Sequence, residues 1–156
     1  MVRRTAAFTI IEIMLIVAAI AILAGVTIIA INPARHLADI RNGQRKIDVA
    51  TIWNALQQYR LDTHGTIPPS ISSGSLTQCT TEVDNDVYAI CRTTGCGVML
   101  DELTTDGKYL SEIPVDPTTE SEIYSGYNVI LDADHQNKLV VCAPGAEGGE
   151  VIFIQR

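Results

Sequence analysis

One acidic side chain, Glu12, lies inside a long apolar stretch and is the first candidate for chemistry in this sequence. Residues 8–31 hold no other charged side chain. As a helix, these 24 residues would extend about 36 Å, enough to cross the hydrocarbon core of a bilayer. A carboxylate at the bilayer centre costs about 2.5–3.5 kcal/mol on insertion scales, and such residues usually have a function and a charged partner. Glu12 is therefore expected to meet a cation.

The residues before this stretch can supply that cation. Residues 1–7 contain two arginines and end in two small residues, Ala6 and Ala7. In a secretory signal peptide the small residues instead follow an apolar region of about 7–15 residues. Cleavage after Ala7 would place a new α-ammonium on Phe8, one helical turn before Glu12. This ammonium could pair with Glu12 of its own chain or with Glu12 of a neighbouring parallel helix. Pairing between chains would fix the axial stagger of the two helices. The alternative is a membrane helix that tolerates one polar residue near its end.

This pattern resembles the N-terminal methylation signature of type IV pilins and of the pseudopilins of type II secretion. The shared features are a basic leader, a small residue, Phe8, Thr9, two aliphatic residues, Glu12 and then an apolar run. The resemblance implies that a prepilin peptidase cleaves between Ala7 and Phe8 and methylates the new amine of Phe8. It also implies that Glu12 sets the register between subunits. The family usually has glycine where this chain has Ala7, so we expect slower cleavage.

The cysteines predict an oxidising compartment. An even number of cysteines beyond a membrane segment is typical of two disulfides. Three pairings are possible; we favour Cys79–Cys91 with Cys96–Cys142, and the alternative is four free thiols in a cytoplasmic domain. The four cysteines are Cys79, Cys91, Cys96 and Cys142.

The sequence contains no motif typical of an enzyme. It has no P-loop, nucleophile elbow or dinucleotide fingerprint, and its three histidines are poorly placed for zinc, so we expect no enzyme activity.

Acidic residues offer weak candidates for a metal site. Major pseudopilins bind calcium after a segment that this chain resembles at residues 109–117, where Tyr109-Leu110 and Ile113-Pro114 precede Asp116-Pro117. Calcium prefers six to eight oxygen ligands. The turn at residues 132–137 lacks the glycine and the distal glutamate of an EF-hand. We therefore favour solvated acids and no cofactor, with calcium as a weak alternative. The candidates are Asp116, Glu120, Glu122, Asp132 and Asp134.

A second, amphipathic helix is predicted to follow the apolar one, from Pro33 to about Thr63. Asn32 suits the cap and Pro33 the first helical position. Apolar residues at helical spacing predict one face packed on a globular domain. The more polar residues 35–46 are expected to face solvent or acids of neighbouring subunits, such as Asp39 or Asp48. The apolar face consists of Val49, Ile52, Trp53, Leu56 and Tyr59.

The rest of the chain predicts a small sheet. Residues 64–69 are helix breakers. Residues 70–97 are expected to form a disulfide-stapled loop region, with a short helix as an alternative, and residues 98–110 suit a short helix or turn. Alternating runs at 124–131, 138–142 and 150–154 predict an antiparallel meander. We therefore expect an α+β type IV pilin fold: a long N-terminal helix packed on about three to four antiparallel strands. Its parts are a cleaved leader (1–7), a membrane or filament-core helix (8–31), an amphipathic helix (32–63) and a globular head (64–156).

Charge distribution bears on topology and partners. The net charge is -7, and acids dominate after Thr63, which argues against nucleic-acid binding by the head. Four basic residues follow the apolar stretch and two precede it, so the positive-inside rule alone would keep the head in the cytoplasm. We nevertheless expect export, because of the cysteines and a leader that must meet a cytoplasmic peptidase.

The predicted function is that of a type IV pilus subunit, serving adhesion, motility or DNA uptake. It would wait in the inner membrane with its N-terminus in the cytoplasm, then join an extracellular homopolymer. The partners implied are its own copies, the prepilin peptidase, and an inner-membrane assembly platform with its motor ATPase. The alternatives are a major pseudopilin, a monomeric signal-anchored extracytoplasmic binding module, and a DNA-binding pilin using the basic residues 35–46.

Overall fold

The computed structural model describes residues 8–81, 87–93 and 96–155, and only the backbone for residues 29–31. The predicted leader, including Ala7, lies outside these residues. The chain divides into two compact units, Met1–Leu37 and Ala38–Arg156, which are described separately.

The first unit contains an apolar helix, α1, at Ile10–Ile31. Its segment Ile10–Ile28 is long and apolar enough to cross a membrane, as the sequence predicts. Thr9 caps the helix through its side chain, and Asn32 ends it in a left-handed conformation with φ 44°. Asparagine tolerates this conformation better than most residues, and Pro33 has no N–H to continue the helix. The helical path is therefore interrupted at Asn32, the residue predicted to cap the second helix.

A second helix, α2, extends over Pro33–Asp62, as predicted. Its first turn is capped by Asn32, whose side-chain oxygen accepts from the Arg35 N–H at 3.3 Å. From Ala38 onward α2 belongs to the second unit, called the head here.

In its described residues the head contains a mixed sheet of five strands: β1 (Ser73–Gly74), β2 (Ala89–Cys91), β3 (Tyr124–Asp132), β4 (Lys138–Ala143) and β5 (Ile152–Gln155). Their order is β1-β3-β4-β5, and β2 also pairs with β3. The predicted meander is correct, because β3, β4 and β5 pair antiparallel. The prediction of three to four purely antiparallel strands is wrong, since β1 pairs parallel with β3. Short helical elements lie between the strands: α3 (Leu76–Thr81), α4 (Asp101–Thr104) and 3-10 turns at Thr105–Gly107 and Ala133–His135.

Both faces of the sheet are covered. Successive side chains of a strand point to opposite faces, so β3 contributes Tyr127 and Val129 to one core and Ile130 to the other. The larger core lies under α2, whose predicted apolar face packs on it, with Ile52 and Leu56 fully buried. Each such side chain contributes about 1.5–3 kcal/mol by leaving water. The smaller core lies under α3 and includes Cys79, Tyr88, Ile130, Val140 and Cys142.

Two disulfides are present, but our favoured pairing is wrong. Cys79 bonds to Cys142 and Cys91 to Cys96, with Cα–Cα distances of 6.0 and 6.1 Å. Cys79 on α3 and Cys142 on β4 lie in the same small core, on one face of the sheet. The Cys79–Cys142 bond therefore joins two segments that share this face.

Removing the long-range disulfide should cost more stability than removing the short one. The bonded cysteines are 63 residues apart in one pair and 5 in the other. Chain-entropy estimates then give about 4 kcal/mol for Cys79–Cys142 and about 2 kcal/mol for Cys91–Cys96. Urea unfolding of the two double Cys→Ser variants, followed by fluorescence of Trp53, measures the difference. A larger loss in the Cys91/Cys96 variant would contradict the expectation, and so would non-reducing peptide maps that join Cys79 to Cys91.

Candidate functional site

The start of α1 positions Glu12 on the first helical turn. The Glu12 N–H donates to the carbonyl and to the hydroxyl oxygen of Thr9, at 3.1 and 3.3 Å. This Thr9-x-x-Glu12 spacing is that of a capping box. A carboxylate here also faces the positive end of the helix dipole. The capping role of Thr9 escaped our sequence analysis, although its spacing from Glu12 was a visible signal.

The surface of α1 is apolar on every side. All described side chains from Phe8 to Ile28 are exposed in the isolated chain, including Phe8 at 73% and Ile10 at 83%. A helix that is hydrophobic all round has no face suited to water. Lipid or other apolar helices would cover this surface favourably, and Glu12 would then lie at the end of the covered surface.

The basic part of α2 is not where we expected it. Arg45 is completely buried, and its guanidinium binds both oxygens of Asp116 at 2.6 and 3.1 Å. It also donates to Asn42, Glu147 and Thr118 at 2.9, 2.9 and 2.7 Å. The prediction that this residue faces solvent or a neighbouring subunit is therefore wrong.

Neighbouring charges extend this arrangement into a network. Arg41 donates to both carboxylate oxygens of Glu147, at 2.6 and 2.5 Å, and Lys46 pairs with Glu150. Asn42 accepts from the Glu147 N–H at 3.0 Å, which fixes the loop after β4 on α2. Three of the four basic residues of this region thus have acidic partners in their own head.

Asp48 also has its hydrogen-bond partners within its own chain. It accepts hydrogen bonds from the Tyr127 hydroxyl and from the Gln44 amide, both at 2.7 Å. It is buried, so the predicted contact between Asp48 and a neighbouring subunit is wrong, whereas Asp39 is exposed. Burial lowers the acidity of Tyr127, raising its pKa well above its ordinary value, and the hydrogen bond to Asp48 adds to this shift.

Sequence reasoning missed the network because its partners are distant in the chain. Asp116 lies 71 positions and Glu147 102 positions after Arg45. One local signal was available: Arg45 precedes Val49 and Ile52 by four and seven residues, so it shares their buried stripe on α2.

The segment at residues 109–117 is held against α2. Tyr109 packs edge-on against Tyr59, with ring centroids 5.8 Å apart, and its hydroxyl donates to Asp62 at 2.9 Å. Leu110 is buried in the core under α2. Together with Asp116, these residues fasten the segment to α2 at both of its ends.

Of the five weak metal candidates, two bind other side chains of the head and three are exposed to solvent. Asp116 is bound by Arg45 and Thr118, and Asp132 accepts from His135 and Gln155 at 2.8 and 2.6 Å. The other three acids of that set are exposed. Within the part of the chain that the structure describes, no three His, Cys, Asp or Glu side chains form a group that could hold a metal. The carboxylate oxygens of Asp116 are thus already bound within the head by Arg45 and Thr118.

Ionisation of these acids is tied to the folded head. Hydrogen bonds from Arg41 and then Arg45 lower the pKa of Glu147 to about 2. Burial raises the pKa of Asp116, but the hydrogen bonds from Arg45 and Thr118 outweigh burial and hold it below its ordinary value. Both carboxylates therefore remain charged in the folded head at pH values where they would take up protons in the unfolded chain.

Stability should consequently fall in acid. Ionised Glu147 stabilises the head above its ordinary pKa of 4.5, and this contribution disappears as the pH falls toward 2. We expect the urea midpoint of the wild type to drop across this range, and the drop to be smaller in Glu147→Gln. The exposed Glu120→Gln variant is the control and should retain the full drop. Equal slopes in the wild type and Glu147→Gln would contradict this role for Glu147.

The described site residues thus form two separate sets. Phe8 and Glu12 lie at the start of α1, whereas the acids and the four cysteines belong to the head, where the cysteines are disulfide-bonded. Comparison with models of protein families, with curated proteins and with solved structures finds no match to this chain. The functional assignment therefore depends on the chain's own residues.

Proposed function

We propose that this chain is the structural subunit of a type IV pilus, which polymerises through residues 8–31 after a prepilin peptidase cleaves before Phe8. The observation that carries the proposal is α1: an apolar helix exposed on every side, with a single acid in its first turn. Copies of the same helix would cover this surface as lipid does. They would also bring the Phe8 ammonium of one chain to Glu12 of another.

The head is compatible with this role. In the type IV pilin fold that we propose, an N-terminal apolar helix is followed by a helix packed on a small sheet, and α2 packs on β3 and β4 in this way. The two disulfides favour an oxidising compartment, hence export of the head. Pairing of Arg41, Arg45 and Lys46 with acids also reduces the unpaired positive charge of the folded head.

A major pseudopilin is the second candidate function, and residues 109–117 favour it. Such a subunit would use the same helix and the same cleavage, but in a secretion apparatus. Loss of protein secretion without loss of surface filaments in a deletion strain would favour this candidate.

A signal-anchored binding module is the alternative from another class. There α1 would be a simple membrane anchor, and the leader would stay attached. Cleavage therefore separates the two classes directly.

Cleavage before Phe8 is the experiment that tests the proposed function. When the full chain is produced with a prepilin peptidase, the intact mass should lack residues 1–7 and include one added methyl group. Ala7→Gly should be cleaved faster, because glycine is smaller in the peptidase subsite, and a strain without peptidase is the control. An intact mass that still includes Met1 in the presence of active peptidase would contradict the proposal.

A further inference from the structure

We infer that Arg45 is a built-in cation of the head, filling an oxygen-lined site that would otherwise need a bound ion. The inference concerns the head alone and stands whether or not the chain forms filaments.

Five side-chain oxygen atoms surround the Arg45 guanidinium. Two belong to Asp116, and one each to Asn42, Thr118 and Glu147, at distances between 2.6 and 3.1 Å. Carboxylate, amide and hydroxyl oxygens are the ligands that hard cations such as calcium prefer. A planar guanidinium satisfies the same oxygens because its N–H groups project in fixed directions. We call these five oxygens the Arg45 cradle.

The cradle joins three parts of the head. Asn42 and Arg45 lie on α2, Asp116 and Thr118 lie before β3, and Glu147 lies in the loop after β4. A bound cation in a small domain often links separate segments in this way. Here the linking charge is a side chain, so it cannot dissociate or be chelated.

The four charged side chains that form ion pairs at the cradle have no net charge. Asp116 and Glu147 carry two negative charges, and Arg41 and Arg45 carry two positive charges. Removal of Arg45 leaves a buried carboxylate of Asp116 and a net negative cradle, which is the condition under which an exogenous cation binds. In this chain the cation comes from the chain itself, as Arg45 of α2.

Two consequences are measurable on the full chain in detergent micelles, with urea unfolding followed by Trp53 fluorescence. The wild-type midpoint should be the same in EGTA and in millimolar calcium chloride. Arg45→Ala should lower the midpoint by about 1 M or more, because the Asp116 charge loses its partner. Millimolar methylguanidinium or calcium should raise that midpoint again, whereas potassium chloride of equal ionic strength should not. If Arg45→Ala is unfolded without urea, the same additions are measured as recovery of the folded fluorescence.

Two control variants locate the effect. Arg41→Ala removes a cation that touches Glu147 but leaves Arg45 in the cradle, so neither addition should stabilise it. Arg45→Ala with Asp116→Ala removes the cradle's main ligand and should lose the rescue. The inference is overturned if EGTA destabilises the wild type, if neither cation stabilises or refolds Arg45→Ala, or if potassium does so equally well.

Discussion

Glu12→Ala is expected to give a cleaved, membrane-resident chain that assembles few or no filaments. In a bundle of α1 helices, the Phe8 ammonium would then lie among apolar side chains without its counter-charge. Insertion scales place the cost of such a charge near 2.5–3.5 kcal/mol, on the order of a hundredfold in the equilibrium for adding each subunit. Quantifying sheared filaments against cleaved protein in the membrane measures this loss.

The matched control for Glu12 is Thr9→Ala. It removes the hydroxyl that accepts from the Glu12 N–H, at a typical cost of about 1 kcal/mol for a helix cap, but retains the carboxylate. If Glu12 acts by pairing between chains, Thr9→Ala should keep most filaments. If both variants lose filaments equally, Glu12 acts by starting the helix, and the proposed register role is wrong.

The second large effect is expected in the head. Asp116→Ala leaves the fully buried guanidinium of Arg45 without its main partner, since Glu147 also pairs with Arg41. Breaking a buried ion pair by removing one side typically costs 3–5 kcal/mol, a large share of the stability of a small domain. Urea unfolding of the full chain by Trp53 fluorescence should show this loss.

Glu120→Ala is the matched control for Asp116→Ala. Both residues follow the Ile113-Pro114 pair and both are acids, but Glu120 is exposed. A surface substitution of this kind usually changes stability by no more than about 0.5 kcal/mol. Equal effects of the two variants would show that Asp116 contributes no more than a surface charge.

The sequence predicted those parts of the fold that repeat a pattern over several residues. The apolar run of α1, the amphipathic face of α2 and the alternation in β3, β4 and β5 all persist over a full element. β1 and β2 escaped because two and three residues are too few to show alternation. Their pairing is decided by the neighbouring strand β3 and not by local preference.

The functional residues also differ in whether a local pattern reveals them. Glu12 was visible because a charge in an apolar run is a local anomaly, whereas its capping partner Thr9 was overlooked. The buried pairing of Arg45 with Asp116 and the bond between Cys79 and Cys142 depend on which distant segments share a face of the sheet. A charge run such as residues 35–46 looks solvated from the sequence alone, because its acidic partners come more than 60 residues later.

Electron microscopy of the fraction sheared from cells that produce this chain tests whether it forms filaments. We expect filaments whose main subunit is this chain, beginning at Phe8, and no filaments in the Glu12→Ala strain. Cleaved protein that stays in the membrane of wild-type cells, with no filaments in the sheared fraction, would contradict it.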